Sequence, residues 1–144
     1  KEPGLIDKAI NTLQEGGYDF VCNNCPPSYP EGLDIEVFTK AALDKEEELS
    51  TSNFEREHVT QYIYHHPEKF KMFNISNIGE NLSYLRWTVD TKKDFQMVAR
   101  IYSFLYKNDS EIFYMNDILL LLKGHPEIEM MNSDVTRSEM YKSI

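Results

Sequence analysis

Residues 85–102 read LRWTVDTKKDFQMVARIY, and the order of residue types in this run points to a fold class. Tyr84 to Val89 has the composition of a strand. Thr91 and Asp94 stand three apart, as a capping box requires, so a helix is predicted to start at Lys92. Phe95, Val98, Ala99, Tyr102 and Leu105 give that helix an apolar stripe. Asp90 falls at the junction from strand to helix. In open α/β sheets, ligands bind beyond the carboxyl ends of strands.

Working outward, the same alternation continues. Leu5, Ile6, Ala9, Ile10 and Leu13 share one helical stripe, and Gly16-Gly17 ends that helix. Tyr18 to Cys22 reads as a short buried strand, and Asn23 to Pro30 as a loop rich in Asn and Pro. Leu33, Ile35 and Val37 alternate with Asp34, Glu36 and Phe38, which predicts a half-buried strand with two carboxylates on its other face. Thr39 to Leu49 reads as a helix with Glu46, Glu47 and Glu48 on its solvated face. Ser52 and Glu55 fit a second capping box, opening a helix that runs to about His66, before Pro67. Val59, Tyr62, Ile63 and His66 are its expected core face. Phe70 to Ile75 is a predicted strand. A last helix runs from about Asn116 to Lys123, closed by Gly124 and Pro126. The pattern predicts an α/β fold with a mainly parallel sheet flanked by helices. One domain over 1–131 and a flexible polar tail over 132–144 are expected.

The chain has 144 residues, 41% of them hydrophobic and 27% charged, in the range of a globular domain. Its formal net charge of −9 argues against nucleic acid or an anionic membrane as a partner held by bulk charge. The longest aliphatic run, Ile118 to Leu122, is far short of the roughly 20 residues of a spanning helix. No signal-peptide pattern opens the chain, so a cytoplasmic location is expected. Cys22 and Cys25 form a single CxxC. Half a zinc site or a redox pair is one interpretation. No second ligand pair has finger spacing and Pro26-Pro27 follows, so two reduced thiols at a strand end are expected.

The residues that can carry chemistry are few. A carboxylate at the position of Asp90 can hold Mg²⁺, which takes one or two protein carboxylates and completes its shell with phosphates and water. The structural alternative is a hydrogen bond to the helix N-terminus. Asp94 is the expected capping acid. Glu55-Arg56-Glu57-His58 packs four ionisable groups into one turn. Arg56 can meet an anion, and Glu57 or His58 can meet hydroxyls; the alternative is a surface turn with local ion pairs. Residues 31–60 hold nine acids against three bases, which suits either solvation or a polar cleft wall. No Gly-rich phosphate loop, GxSxG elbow or HExxH occurs, so hydrolase chemistry, including a metal site built on His58 and His65, lacks support.

Three segments in order, YPEGLDIEVF (29–38), FEREHVTQYI (54–63) and LRWTVDTKKDFQMVARIY (85–102), resemble bacterial cytidylyltransferases of the spore-coat polysaccharide type. These are relatives of the acylneuraminate and deoxy-octulosonate cytidylyltransferases, and the similarity spans about Pro3 to Met131. The resemblance implies a nucleotidyltransferase-like sheet with an antiparallel excursion around residues 29–38. It implies a CMP-sugar made from CTP and an acidic or related sugar, with Mg²⁺ as cofactor and pyrophosphate released. Asp90 in the VDT motif matches the downstream metal aspartate. Asp34, Glu36, Arg56, Glu57, His58 and Arg86 match positions on the sugar side of the cleft. Members commonly dimerise through the GLDIEVF region, so a homodimer is expected. No catalytic residue is assigned. The family's Gly-rich loop, base-reading residues and first metal aspartate belong to an N-terminal half with no counterpart in these 144 residues. This leads to two expectations: a C-terminal part that is inactive alone, or a non-catalytic sugar-binding or dimerisation module. Gln61 stands where relatives often carry Pro, and Asn53-Phe54 replaces a Pro-Tyr pair.

Overall fold

Helix α1 (Pro3–Gly16) starts on a proline whose missing N–H costs nothing at the first helical position. It stops where Gly17 turns left-handed at φ 58° and returns its N–H to Leu13 O. The structure, a computed structural model, describes residues 2–108 and 111–136. Strand β1 (Phe20–Cys22) follows and is buried along its whole length. It is the middle strand of a three-stranded sheet. On one side β2 (Glu36–Phe38) pairs antiparallel, with Val21 opposite Val37; on the other β3 (Met72–Asn74) pairs parallel, with Val21 opposite Phe73. The sheet is therefore mixed, and the antiparallel strand is the 29–38 excursion.

The sheet is covered on both faces because side chains alternate along β1. Val21 packs under α1 with Leu5, Ala9 and Leu13. Phe20 and Cys22 face the other way, onto Ala42, Tyr62, Ile63, Tyr64 and Phe70. The second layer comes from α2 (Lys40–Leu49) and α4 (Gln61–His65), with α3 (Asn53–Glu57) between them in the chain and a 3₁₀ turn over Pro67–Lys69 after them. A third cluster, centred on Met97, Ile101, Leu122 and Ile128, joins α5 (Lys92–Leu105), α6 (Met115–Gly124) and α7 (Pro126–Glu129). No described helix is long and apolar enough to cross a membrane.

Four expectations need correction. The helix predicted from 52 to 66 is two helices broken at His58–Thr60. Its first half buries nothing, whereas Gln61 to Tyr64 sink into the core, and one straight rod cannot serve both. Val59 and Thr60, β-branched and poor at holding a helix, take the break, and Val59 is exposed. The strand predicted over 84–89 is an extended segment with one isolated parallel bridge, Glu31 to Arg86. Glu31 N donates to Leu85 O and Trp87 N to Glu31 O, after which the neighbouring chain turns away at Gly32. The solvated triad 46–48 holds only for Glu47 and Glu48. Glu46 is buried and accepts a hydrogen bond from Ser50 Oγ.

The fourth correction concerns the face of α5. Phe95 and Tyr102, expected inside, are 63% and 51% exposed, and the buried side chains are Asp94, Met97 and Ile101. A count of apolar residues selects the wrong stripe because a buried acid belongs to the right one. The tail expected over 132–144 lies from residue 137 onward outside the described residues; within them, Asn132 is buried.

Gly32 carries the turn that follows the Glu31 bridge. Its φ is 102°, and a Cβ there would come within 2.8 Å of Trp87 C and Thr88 N. Both strain and collision oppose a side chain. Gly32→Ala is expected to lower unfolding stability by about 1–3 kcal/mol. A urea midpoint equal to the wild type would show that the 86–88 segment simply moves aside.

Candidate functional site

The site grows from the N-terminus of α5. Thr91 Oγ1 accepts from Asp94 N at 3.2 Å, and Asp94 Oδ2 accepts from Thr91 N at 2.9 Å, completing the capping box. The box turns Asp94 inward. There Arg86 Nε donates to its Oδ1 at 3.0 Å and Asn132 Nδ2 to the same oxygen at 2.8 Å. Arg86 spends its remaining reach on two further carboxylates. Nη1 donates to Glu31 Oε1 at 2.8 Å, and Nη2 to Asp90 Oδ2 at 2.8 Å.

One guanidinium thus holds three carboxylates of very different exposure. The Arg86 side chain is 8% exposed and that of Asp94 fully buried, while that of Asp90 is 64% exposed. Burial opposes the charge on Asp94, but hydrogen bonds from Arg86, Asn132 and Thr91 outweigh it and hold its carboxyl well below the usual range. Burial likewise works against the Arg86 charge, and Asp94 and Glu31 more than compensate. Asp90 itself keeps Oδ2 on Arg86 and on Thr88 Oγ1, 3.1 Å away.

The other expected residues fall in three places. Asp34 sits beside the Gly32 turn, its Oδ2 accepting from Gly32 N at 3.1 Å. Glu36, on β2, accepts from the buried Tyr64 hydroxyl at 2.7 Å, and the same phenol lies 2.7 Å from Asn24 Oδ1. Burial first, and the Glu36 charge second, push the Tyr64 phenol upward, so it stays a proton donor. Arg56, Glu57 and His58 occupy α3 and its C-cap. Their contacts are local: Arg56 Nη2 reaches Ser50 O at 3.4 Å, and the His58 ring meets Phe54 edge-on at 4.7 Å.

Sequence reasoning missed Glu31, Tyr64, Asn23 and Asn132. Asn23 is buried and clamps the loop before β2, donating to Leu33 O at 3.0 Å and accepting from Ile35 N at 2.8 Å. Its only signal was a pair of asparagines inside CxxC. Cys22 and Cys25 are free thiols, and burial pushes Cys22 up to about 11, which leaves it protonated and unreactive at neutral pH. Among the described residues no three His, Cys, Asp or Glu side chains gather as metal ligands. Trp87 and Val89, which alternate with Arg86, Thr88 and Asp90, instead line an apolar cleft of about 440 Å³ with Leu33 and Tyr102.

An extended segment thus delivers an acid to a helix start beside a mixed α/β sheet. The chain matches the structure of a cytidylyltransferase from Leptospira borgpetersenii serovar Hardjo-bovis with a TM-score of 0.80 and 28% identity, over 94% of this chain and 55% of that one. It is 33% identical, over a 145-residue alignment, to the uncharacterized protein MJ1063 of Methanocaldococcus jannaschii, covering 97% of this chain and 55% of that protein. No family model matches the chain. The chain spans about half the length of both proteins, and the structural likeness supports the cytidylyltransferase family.

Proposed function

We propose that this chain is the C-terminal part of a sugar cytidylyltransferase of the spore-coat polysaccharide type. In this reading it serves the making of a CMP-sugar from CTP, for surface polysaccharide. What supports the reading most is the likeness to a cytidylyltransferase over 94% of the chain. The position of Asp90 adds to it. An exposed carboxylate with a second oxygen to spare fits Mg²⁺, a cation that takes one or two protein carboxylates and leaves the rest of its shell to phosphates and water.

In the reaction, a sugar oxygen bonds to the α-phosphorus of CTP. The bond from that phosphorus to the bridging oxygen breaks, pyrophosphate leaves with the electron pair, and the sugar proton passes to solvent. Mg²⁺, when bound, neutralises charge on the phosphate oxygens. The chain's residues supply position. Asp90 is the cation ligand; Asp34, Glu36, Arg56, Glu57 and His58 face the sugar; Arg86 serves the cleft from behind Asp90. The protein is a homodimer joined near the GLDIEVF segment, in the cytoplasm, where two free thiols stay reduced.

The test is pyrophosphate release from CTP with Mg²⁺ and a panel of acidic sugars, run on this chain and on the product of the complete reading frame that carries it. Release by the latter upholds the reading; none by either, for any sugar, ends it. A second reading is a sugar-binding or dimerisation module without chemistry. Sugar binding in calorimetry, or a dimer in sedimentation, without turnover would select that one. In an active protein, His58→Ala is expected to raise the sugar's KM by about tenfold, the loss of one hydrogen bond to a hydroxyl, and to leave the KM for CTP unchanged. The opposite split would reverse the assignment of this side of the cleft.

A further inference from the structure

We infer that Arg86 and Thr88 are positioning residues that pin one oxygen of Asp90 and present the other as a ligand. Oδ2 of Asp90 is held twice, by Arg86 Nη2 at 2.8 Å and by Thr88 Oγ1 at 3.1 Å. Oδ1 has no hydrogen bond to any described residue. The backbone is fastened as well, Asp90 N donating to Asp94 Oδ2 at 3.2 Å. The carboxylate is therefore oriented before any ligand arrives.

The arrangement is directional because Arg86 is held independently of Asp90. Glu31 and Asp94 hold it from two other sides, and Asn132 Nδ2 donates both to Arg86 O at 2.9 Å and to Asp94 Oδ1. A flexible lysine-like partner would follow the carboxylate; a guanidinium fixed at three points obliges the carboxylate to follow it. Three acids around one base also leave an excess of two negative charges, which keeps the fixed cation from repelling a second one. Ligands held by such outer partners bind more tightly than free ones, and losing a partner commonly weakens metal affinity by roughly tenfold or more.

The inference rests on the reading of Asp90 as a cation ligand, and its test separates the two. The first measurement needs no metal. Side-chain coupling constants of Asp90, measured by NMR on the whole chain, are expected to show a single χ1 rotamer in the wild type. Thr88→Val should average them without moving the thermal midpoint, and Thr88→Ser, which restores the hydroxyl, should recover the single rotamer. Arg86→Lys should average them too, and Thr88→Val carries the test if that variant does not fold. The second measurement is Mn²⁺ titration, following paramagnetic broadening around Asp90. Half-broadening should need roughly tenfold more Mn²⁺ in Thr88→Val than in the wild type. An averaged rotamer in the wild type overturns the inference, and so does a Thr88→Val chain with the wild-type rotamer and Mn²⁺ response. Ordered wild type, loosened Thr88→Val and no Mn²⁺ near Asp90 in either upholds the pinning and removes the cation assignment instead.

Discussion

Arg86→Met is expected to cost about 3–5 kcal/mol of folding stability at pH 7. Methionine fills much of the same volume, so the loss is electrostatic rather than a cavity. Three carboxylates would be left around a site from which the one balancing charge has gone, and Asp94 among them is fully buried. A domain of this size has only about 5–15 kcal/mol in total. The effect is therefore a large share of the whole, read as a fall in the urea midpoint with unchanged slope.

The pH dependence should change sign. In the wild type the Asp94 carboxyl is held below its ordinary range, so its contribution is present above the unfolded value near 3.9. It is lost as the pH falls through the folded value. In Arg86→Met, burial loses its strongest opponent and Asp94 moves up. The folded variant then binds protons more readily than the unfolded chain, and its stability rises on acidification from pH 7 toward 4. The gap between the two proteins should narrow over that interval. A constant gap would mean that Asp94 does not feel the missing guanidinium.

Asp90→Asn is expected to reduce turnover by about 10²–10³-fold in a protein competent for cytidylyl transfer, the usual cost of removing one electrostatic group from the reacting centre. The loss should fall on kcat and on the Mg²⁺ concentration needed for half-activity, with little change in sugar KM. Stability should hardly move. The Arg86–Asp90 pair is 64% exposed on the aspartate side, and exposed pairs contribute at most about 1 kcal/mol. Asparagine also keeps an oxygen for Arg86. Near-normal turnover with normal Mg²⁺ dependence would remove Asp90 from the site. A large fall in stability would instead make it a structural acid, like Asp94. The two substitutions are therefore expected to dissect one cluster: losing the guanidinium at its buried centre should lower stability, and losing the carboxylate at its rim should lower activity.

Asp90 and Asp94 could be placed from the chain, but the wiring around them could not. Asp90 was legible because a capping box locates the helix start to the residue, and the acid just before it follows. Arg86 was legible only through the resemblance, on the sugar side of the cleft. Its three partners engage every one of its donor nitrogens, and the first of them, Glu31, is 55 residues away. Tyr64 was read merely as part of a helix, yet it supplies the proton that orients Glu36.

Local hydrogen bonding made both capping boxes, the proline start and the glycine end of α1 readable in the sequence, since each is satisfied within a few residues. Long-range pairing decided the rest. The inward face of α5 is chosen by Asp94, because an acid with Arg86 and Asn132 waiting 8 and 38 residues away is better satisfied inside than two aromatic rings are. The break between α3 and α4 arises because Tyr62 to Tyr64 must reach the sheet while α3 need not. The 84–89 segment forms no ladder because the chain bridged to it at Glu31 turns away at Gly32. In each case the free energy belongs to a contact between distant segments, and only the tertiary structure brings those segments together.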